Sequence, residues 1–428
     1  MTRAAPIDLV QRLSLKRNIA FSIVGRGYYA VTQFLIIMIA AQLGTLEDVG
    51  VLTLAAAIVT PLFFLATMGT RDVLTVDDLD RFSRADFVFL RLIGSIAALV
   101  MSVILTIAFY GDGGLLILGS VVGFSLVKFV GAQAAMNHAM FQRAERLDFM
   151  AASIFVRGTA GLIAFGVVFW QTRNLPLALI CEAGAWILTY WFIDKQLLVR
   201  LGLNTSFASL ADSNLRKIGV LALWVLPIGL ALWMMRTAFS VPPFLLEHFH
   251  GLEAVGLFGA LAYVHTALSM LANAMGNASA ARLRRCIREQ RTSDFWRIAR
   301  KLTATSFALG LTVTVGAWLF GGPLLTWAFG EDYAQPALFT IIVAASSLML
   351  IASPLTTGII ASQVFIWRVV ISGSSLIAAV FAALVLIPAH GVFGAAWTFM
   401  AASATYLIVT FIVCGFLFGG RSKGVSHE

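Results

Sequence analysis

Residues 87–110 read FVFLRLIGSIAALVMSVILTIAFY, an apolar run of twenty-four residues interrupted by a single charge, Arg91. A helix needs roughly 20 such residues to cross the hydrocarbon core of a bilayer, and a spanning β-strand would instead alternate over about ten. The run therefore predicts a transmembrane helix. Reading outward in both directions, the same pattern recurs at about 19–42, 49–70, 114–137, 152–171, 174–194, 218–240, 254–277, 302–321, 337–360, 369–388 and 392–417. The whole chain of 428 residues is 60% apolar and only 12% charged, against roughly 25% charged in soluble domains. Mean hydropathy is +0.90. So few ionic groups cannot cover a soluble body of this size, which excludes soluble enzymes, nucleic-acid readers and secreted disulfide scaffolds. The expected fold class is all-α, a polytopic membrane protein of twelve helices.

The formal charge of +9 acquires its meaning from position. With the N-terminus inside, 24 of the 30 Lys and Arg residues fall on inner segments, one (Arg173) falls outside, and Arg26, Arg91, Lys128, Arg157 and Arg236 fall within spans. This asymmetry satisfies the positive-inside rule and predicts two cytoplasmic termini. The first span is too long for the apolar core of a cleavable signal and reads as an uncleaved helix. Cys181, Cys286 and Cys414 have no paired spacing, so neither a disulfide framework nor a metal site is expected. The outer loops are short and slightly acidic. The inner connection 195–217 divides the chain into an N-terminal six-helix bundle, 1–194, and a C-terminal one, 218–428. Lys16-Arg17 and Arg216-Lys217 precede the two halves in corresponding places, as parallel repeats would require.

Ionisable groups inside a membrane are costly and face protein, water or substrate unless they reach an interface. Lys128 stands near the middle of the fourth span, on a face shared with Ser125, Gly131, Ala132 and Ala135. It reads as a lumen-facing cation or as a structural, hydrogen-bonded lysine. Arg26, Tyr29 and Gln33 form a polar stripe on the first span, either lining a path or carrying an arginine back to inner phosphates. Arg157, five residues into its span, is expected to snorkel, Arg91 to anchor the inner interface, and Arg236 to face an outer vestibule or anchor its helix. Glu182 reads as the only acid within the spans, a relay or cation ligand, or the counter-ion of Lys128 or Arg157. His265, Ser269 and Asn273 share a stripe, and His265 is either a proton switch or a satisfied interior histidine. Pro61, Pro227 and Pro354 lie inside spans. Arg282, Arg284, Arg285, Arg288, Arg291, Arg297, Arg300 and Lys301, interrupted by Leu283, Ile287, Phe295, Trp296 and Ile298, read as an amphipathic segment attracting anionic lipid at the inner face. No nucleic-acid partner is expected. Phosphate-loop, HExxH, GxSxG and clustered His/Cys patterns are missing, so no cofactor or metal is expected and the chain has no visible means of hydrolysing ATP.

Two stretches carry a resemblance. The first runs Gln42-Leu43-Gly44, Val49-Gly50-Val51-Leu52-Thr53-Leu54-Ala55, through Thr60-Pro61 to Leu65-Ala66-Thr67-Met68-Gly69 and Arg71. The second is Phe329-Gly330-Glu331-Asp332-Tyr333-Ala334, followed by Ile387-Pro388-Ala389-His390-Gly391-Val392-Phe393-Gly394. Together they resemble the bacterial polysaccharide and O-antigen flippases of the multidrug/oligosaccharidyl-lipid/polysaccharide exporter superfamily. That resemblance implies a transporter, not an enzyme, in the bacterial cytoplasmic (inner) membrane. It would move a polyprenyl-pyrophosphate-linked oligosaccharide between leaflets by alternating access, for O-antigen, capsule or exopolysaccharide synthesis, beside other polysaccharide-assembly proteins. Cationic Arg26, Lys128, Arg236 and Arg157 suit a pyrophosphate, and Gln33 and Tyr29 suit glycan hydroxyls. Two competitors are a cation-coupled multidrug exporter of the same superfamily and a membrane polysaccharide polymerase or glycosyltransferase. The first calls for acids in its bundles; the second, for a large outer loop or a catalytic acidic motif.

Overall fold

Helix α4, Arg84–Tyr110, covers the run quoted first and shows which solvent surrounds it. Ser95, Ala98, Ser102 and Thr106 follow one face and are buried, whereas Ile93, Ile96, Val100, Ile104 and Ile107 on the other are exposed. Small and hydroxylated residues pack inward and branched apolar ones face out, the reverse of a soluble amphipathic helix. The hydroxyls do not go unsatisfied: Ser102 and Thr106 donate to the carbonyls of Ala98 and Ser102, at 2.7 and 2.8 Å. Ser83 caps the helix and forms a reciprocal capping box with Asp86.

The computed structural model describes residues 13–76, 82–111, 114–202, 215–289, 291–362, 364 and 366–419. Their regular structure is helical throughout: α1 (Leu15–Leu43), α2 (Leu46–Thr67), α3 (Thr70–Val76), α4, α5 (Leu115–Arg143), α6 (Leu147–Thr172), α7 (Leu175–Thr189), a π-helical turn (Tyr190–Asp194), α8 (Lys195–Arg200), α9 (Leu215–Ala262), α10 (Val264–Arg288), α11 (Thr292–Phe329), a 3₁₀ turn (Glu331–Tyr333), α12 (Pro336–Ala361) and α13 (Ile366–Gly419). Among the described residues, ten helical stretches are long and apolar enough to cross a membrane. Two of them, Arg216–Ala272 and Ile366–Phe418, have 57 and 53 residues, each enough for two passes. Each is broken by one glycine in a conformation that L side chains rarely adopt: Gly251 at φ 78° and Gly391 at φ 55°. The imidazole of His250 bonds the carbonyl of Ile387 at 2.8 Å and lies against Gly391, which joins the two reversals.

By internal contacts the chain forms two units. The first comprises 1–44 and 58–229, the second 45–57 and 230–428. Where sequence divides the chain by order at 195–217, internal contacts group the first half of α2 with the C-terminal helices and set the later bound inside α9. Residues 203–214, the middle of the expected linker, lie outside the described residues. In the first unit α1 packs on α6, α5 on α4 and α7, and α6 on α7. Its core gathers Leu74, Phe87, Phe141, Met136, Met150 and Leu198. In the second, α12 lies against α10, α11 and α13 around Leu283, Phe295, Leu355 and Cys414.

Two boundaries differ from expectation. The outer loop placed at 241–253 is helical up to the break at Gly251, through Pro242-Pro243, because a membrane helix tolerates prolines, and the chain reverses at the glycine, the residue for which positive φ costs least. The basic loop 278–301 is mostly helix, the end of α10 and the start of α11. Of its intervening apolar residues, Leu283 and Phe295 are buried in the second unit's core and Ile287, Trp296 and Ile298 are partly buried against it, while Arg284, Arg288, Arg297 and Arg300 are exposed. The Trp296 indole donates to the carbonyl of Phe418.

Candidate functional site

The first unit concentrates its buried polar groups where α1, α5, α6 and α7 meet. Four side chains on α7 and the π turn recur every four residues: Glu182, Trp186, Tyr190 and Asp194. In an α-helix that spacing drifts round the axis by about 40° per step. The wider π turn at Tyr190–Asp194 takes up part of the drift and keeps Asp194 inside, fully buried. Such turns occur frequently at functional sites. Glycines bring the neighbouring helices in: a Cβ on Gly161 of α6 would lie 2.3 Å from the Trp186 indole nitrogen, and one on Gly131 of α5 3.1 Å from its ring.

Two groups of charges follow. Glu182, 2% exposed, accepts a hydrogen bond from Gln33 and is acted on by Lys128, whose ammonium lies 4.9 Å from the centre of the Phe124 ring. Tyr29, 6.3 Å from the Trp186 ring between centroids, is influenced by both Glu182 and Arg157. Arg157, 5% exposed, lies 4.9 Å over the Trp186 ring and has Asp194 as its main opposing charge. Asn137 and Ser153 are the neutral neighbours of Asp194, and Ser153 bonds His138 Nε2 at 2.9 Å. Oε1 of Glu182, both carboxylate oxygens of Asp194, Nδ2 of Asn137, Nε and Nη1 of Arg157 and the Trp186 indole nitrogen make no hydrogen bond of good geometry. Natural interiors carry few such atoms, and their concentration along one seam marks it as more than packing.

Sequence reasoning put Tyr29 and Gln33 on one stripe and read Glu182 as a candidate counter-ion of Lys128 or Arg157, and in the first unit these five influence one another. Arg26 is half-buried on α1, close enough to act on His138. Three expectations are corrected. Arg157 does not snorkel, because α6 carries it inward against Trp186. Arg91 is 7% exposed and donates to Thr70 Oγ1 at 3.1 Å, fastening α4 to α3 instead of anchoring at an interface. Glu182 is not the sole acid: Asp194, at the last position of the sixth predicted span, is buried as deeply. His138, Asn137 and Trp186 were also missed. The polar cluster Asn137-His138 at the end of the fifth helix was visible, but nothing in one sequence aims it at Asp194. Of the small stripe, Gly131 lies against the Trp186 ring of α7.

The second unit holds Arg236 on α9 and His265 on α10. The His265 imidazole lies 4.7 Å from the Phe239 ring and 5.3 Å from that of Phe399, and Arg236 acts on it electrostatically. Ser269 closes its hydroxyl on the carbonyl of Thr266. The Asn273 side chain lies outside the described residues. The turn after α11 uses Gly330 at φ 105° and buries Tyr333 against Phe329, 5.7 Å between rings. Burial raises the Tyr333 phenol above its usual range, so it stays neutral.

With this geometry the chain can be set beside known proteins. It aligns with a point mutant of the Vibrio cholerae MATE transporter VcmN at a TM-score of 0.66 and 14% identity, covering 96% of this chain and 97% of that one. With the lipid II flippase MurJ, in an inward closed conformation, the TM-score is 0.70 at 12% identity, over 92% and 87% of the two chains. The fold is that of the MOP superfamily transporters. A MOP superfamily transporter from Pyrococcus furiosus matches over 99% of this chain and all of its own, with a TM-score of 0.62 and 14% identity. In sequence, the chain is 24% identical over 388 residues to the capsular polysaccharide biosynthesis protein CapF of Staphylococcus aureus, 89% of this chain and 94% of that protein. No family model matches.

Proposed function

We propose that this protein is a flippase that moves a lipid-(pyro)phosphate-linked oligosaccharide from the inner to the outer leaflet by alternating access, supplying surface polysaccharide synthesis. One observation carries the reading over that of a drug exporter: the sign of the interior. In the first unit Arg26, Arg71, Arg84, Arg91, Lys128, Arg143, Arg146, Arg157 and Lys195, all buried or half-buried, stand against Asp86, Asp148, Glu182 and Asp194 among the described residues. A cationic excess in a low-dielectric bundle suits an anionic cargo and opposes a cationic one. The end-to-end similarity to a capsule biosynthesis protein supports the same cargo class.

On this reading the chain crosses the bacterial cytoplasmic membrane twelve times, with both termini inside. The halves 1–194 and 218–428 act as bundles, and the basic rim from Arg282 to Lys301 meets anionic lipid at the inner face. Arg26, Lys128 and Arg236, with Arg157, serve the phosphate groups; Tyr29 and Gln33 serve glycan hydroxyls; Glu182 and His265 act as counter-ion or coupling groups. No enzymatic step is assigned. Reconstituted vesicles offered a fluorescent lipid-linked glycan or, separately, a cationic dye test the proposal. Glycolipid movement that Lys128→Ala and Arg26→Ala impair, with normal insertion, is expected. Movement of the dye alone refutes it in favour of the exporter.

A further inference from the structure

The face and the edge of the Arg157 guanidinium meet different surroundings. The face lies 4.9 Å from the centre of the Trp186 ring, and the two side chains are 5% and 3% exposed. Three helices fix that ring. A Cβ on Gly161 of α6 would crowd the indole nitrogen and one on Gly131 of α5 the benzo edge, while Tyr29 of α1 stands 6.3 Å away between centroids. On the guanidinium edge, Nε and Nη1, one from each fork, make no hydrogen bond of good geometry, and neither carboxylate oxygen of Asp194 makes one either. The same unit shows what completes such an arrangement. Arg146, about three turns back at the start of α6, lies 3.9 Å over the Phe149 ring and donates from Nε and Nη2 to the two oxygens of Asp148, at 2.9 and 2.7 Å. There a ring covers the face and a pair of anionic oxygens takes the edge. Arg157 has the ring, and the described residues supply no acceptor to its Nε or Nη1.

We infer that Trp186 is a positioning residue: its indole holds the Arg157 guanidinium by the face, so that the edge takes two oxygens of the cargo's phosphate group. The inference rests on the flippase reading and adds to it a residue that acts without touching the cargo. A guanidinium is planar and meets phosphate oxygens in pairs, so fixing its plane fixes where those oxygens lie; an ammonium has no such plane. Burial in a dry seam strengthens each charge-assisted bond. It also requires the helices to part before the anion enters, which slows association.

The full-length protein in lipid nanodiscs is titrated with a short-chain symmetrical dialkyl diphosphate diester. Trp186→Leu, which removes the ring face, is expected to weaken binding about tenfold, and Trp186→Phe, which keeps one, recovers most of that loss. Arg157→Lys keeps the charge without the plane and weakens binding about tenfold or more. The Trp186→Leu/Arg157→Lys protein binds no more weakly than Arg157→Lys, because the ring acts only through the guanidinium; a ring that merely packs would add its own loss. A second measurement needs no destabilised variant: the tryptophan emission of wild type minus that of Trp186→Phe is expected to change as the diester binds. Additive losses, wild-type affinity in Trp186→Leu or Arg157→Lys, or an emission difference that the diester leaves constant overturns the role of Trp186 and leaves the flippase reading standing. Binding of a cationic dye by the wild-type protein with no binding of the diester overturns both.

Discussion

A close helix crossing in the C-terminal unit predicts a sharp difference between chemically identical substitutions. Gly50 on α2 and Gly256 on α9 let two backbones touch: a Cβ on Gly50 would stand 2.0 Å from the carbonyl oxygen of Leu252, and one on Gly256 2.0 Å from that of Leu46. Ordinary contact begins near 3.4 Å, so either methyl requires the helices to part by about 1.4 Å, and the obstacle is backbone that no rotamer change relieves. Overpacking of this kind costs about 1–3 kcal/mol, and loss of close contact along the crossing places Gly50→Ala at about 3 kcal/mol. At roughly 2–4 °C per kcal/mol for a unit of this size, the melting midpoint falls by about 6–12 °C. Gly316 on α11 meets nothing within 4 Å, so Gly316→Ala gains helix propensity of about 0.5–1 kcal/mol and melts slightly higher. Thermal unfolding in detergent, followed by monodisperse peak height, reads both. The Gly50→Ala/Gly256→Ala protein is expected to lose less than the two singles together, because one parting of the helices accommodates both methyls. Equal midpoints for Gly50→Ala and Gly316→Ala would refute the reasoning.

Two further outcomes are expected from buried polar contacts. Asn18, 6% exposed, donates to the carbonyl of Glu145 at 2.8 Å and accepts from the amide of Leu147 at 3.0 Å, pinning the turn between α5 and α6 to the start of α1. Asn18→Ala orphans both groups and costs about 1–3 kcal/mol, checked by thermal midpoint; an unchanged midpoint would mean that the turn holds itself. Arg157→Met strands Asp194 in the seam and destabilises by about 3–5 kcal/mol, whereas Arg157→Met/Asp194→Asn recovers most of the loss. A double-mutant cycle measures it, and simple additivity would show that the two charges do not compensate each other.

Several features were legible in the residues alone because the bilayer imposes them locally. A run such as 87–110 has to be a helix, since lipid offers its backbone no other partner, and the sorting of Lys and Arg predicts a side for each loop. The Gly391 turn was visible as well, as a glycine beside Pro388 between two spans. The helical continuity of 241–250 was not, because Pro242-Pro243 carries the same signal whether a membrane helix absorbs it or ends at it. Depth in a span likewise exposed Lys128, Arg157 and Glu182 as costly, but cost does not name a partner.

Only the tertiary structure set Glu182 in the field of Lys128 and Asp194 in that of Arg157, since those influences join α5 with α7 and α6 with the π turn. It also separated Gly50 from Gly316, identical letters in apolar helices, by what lies within 4 Å of each. Composition and period fix how a segment meets its solvent, residue by residue. Which side chains meet one another depends on the rotation and approach of whole helices, and those are set by the sum of contacts along their length.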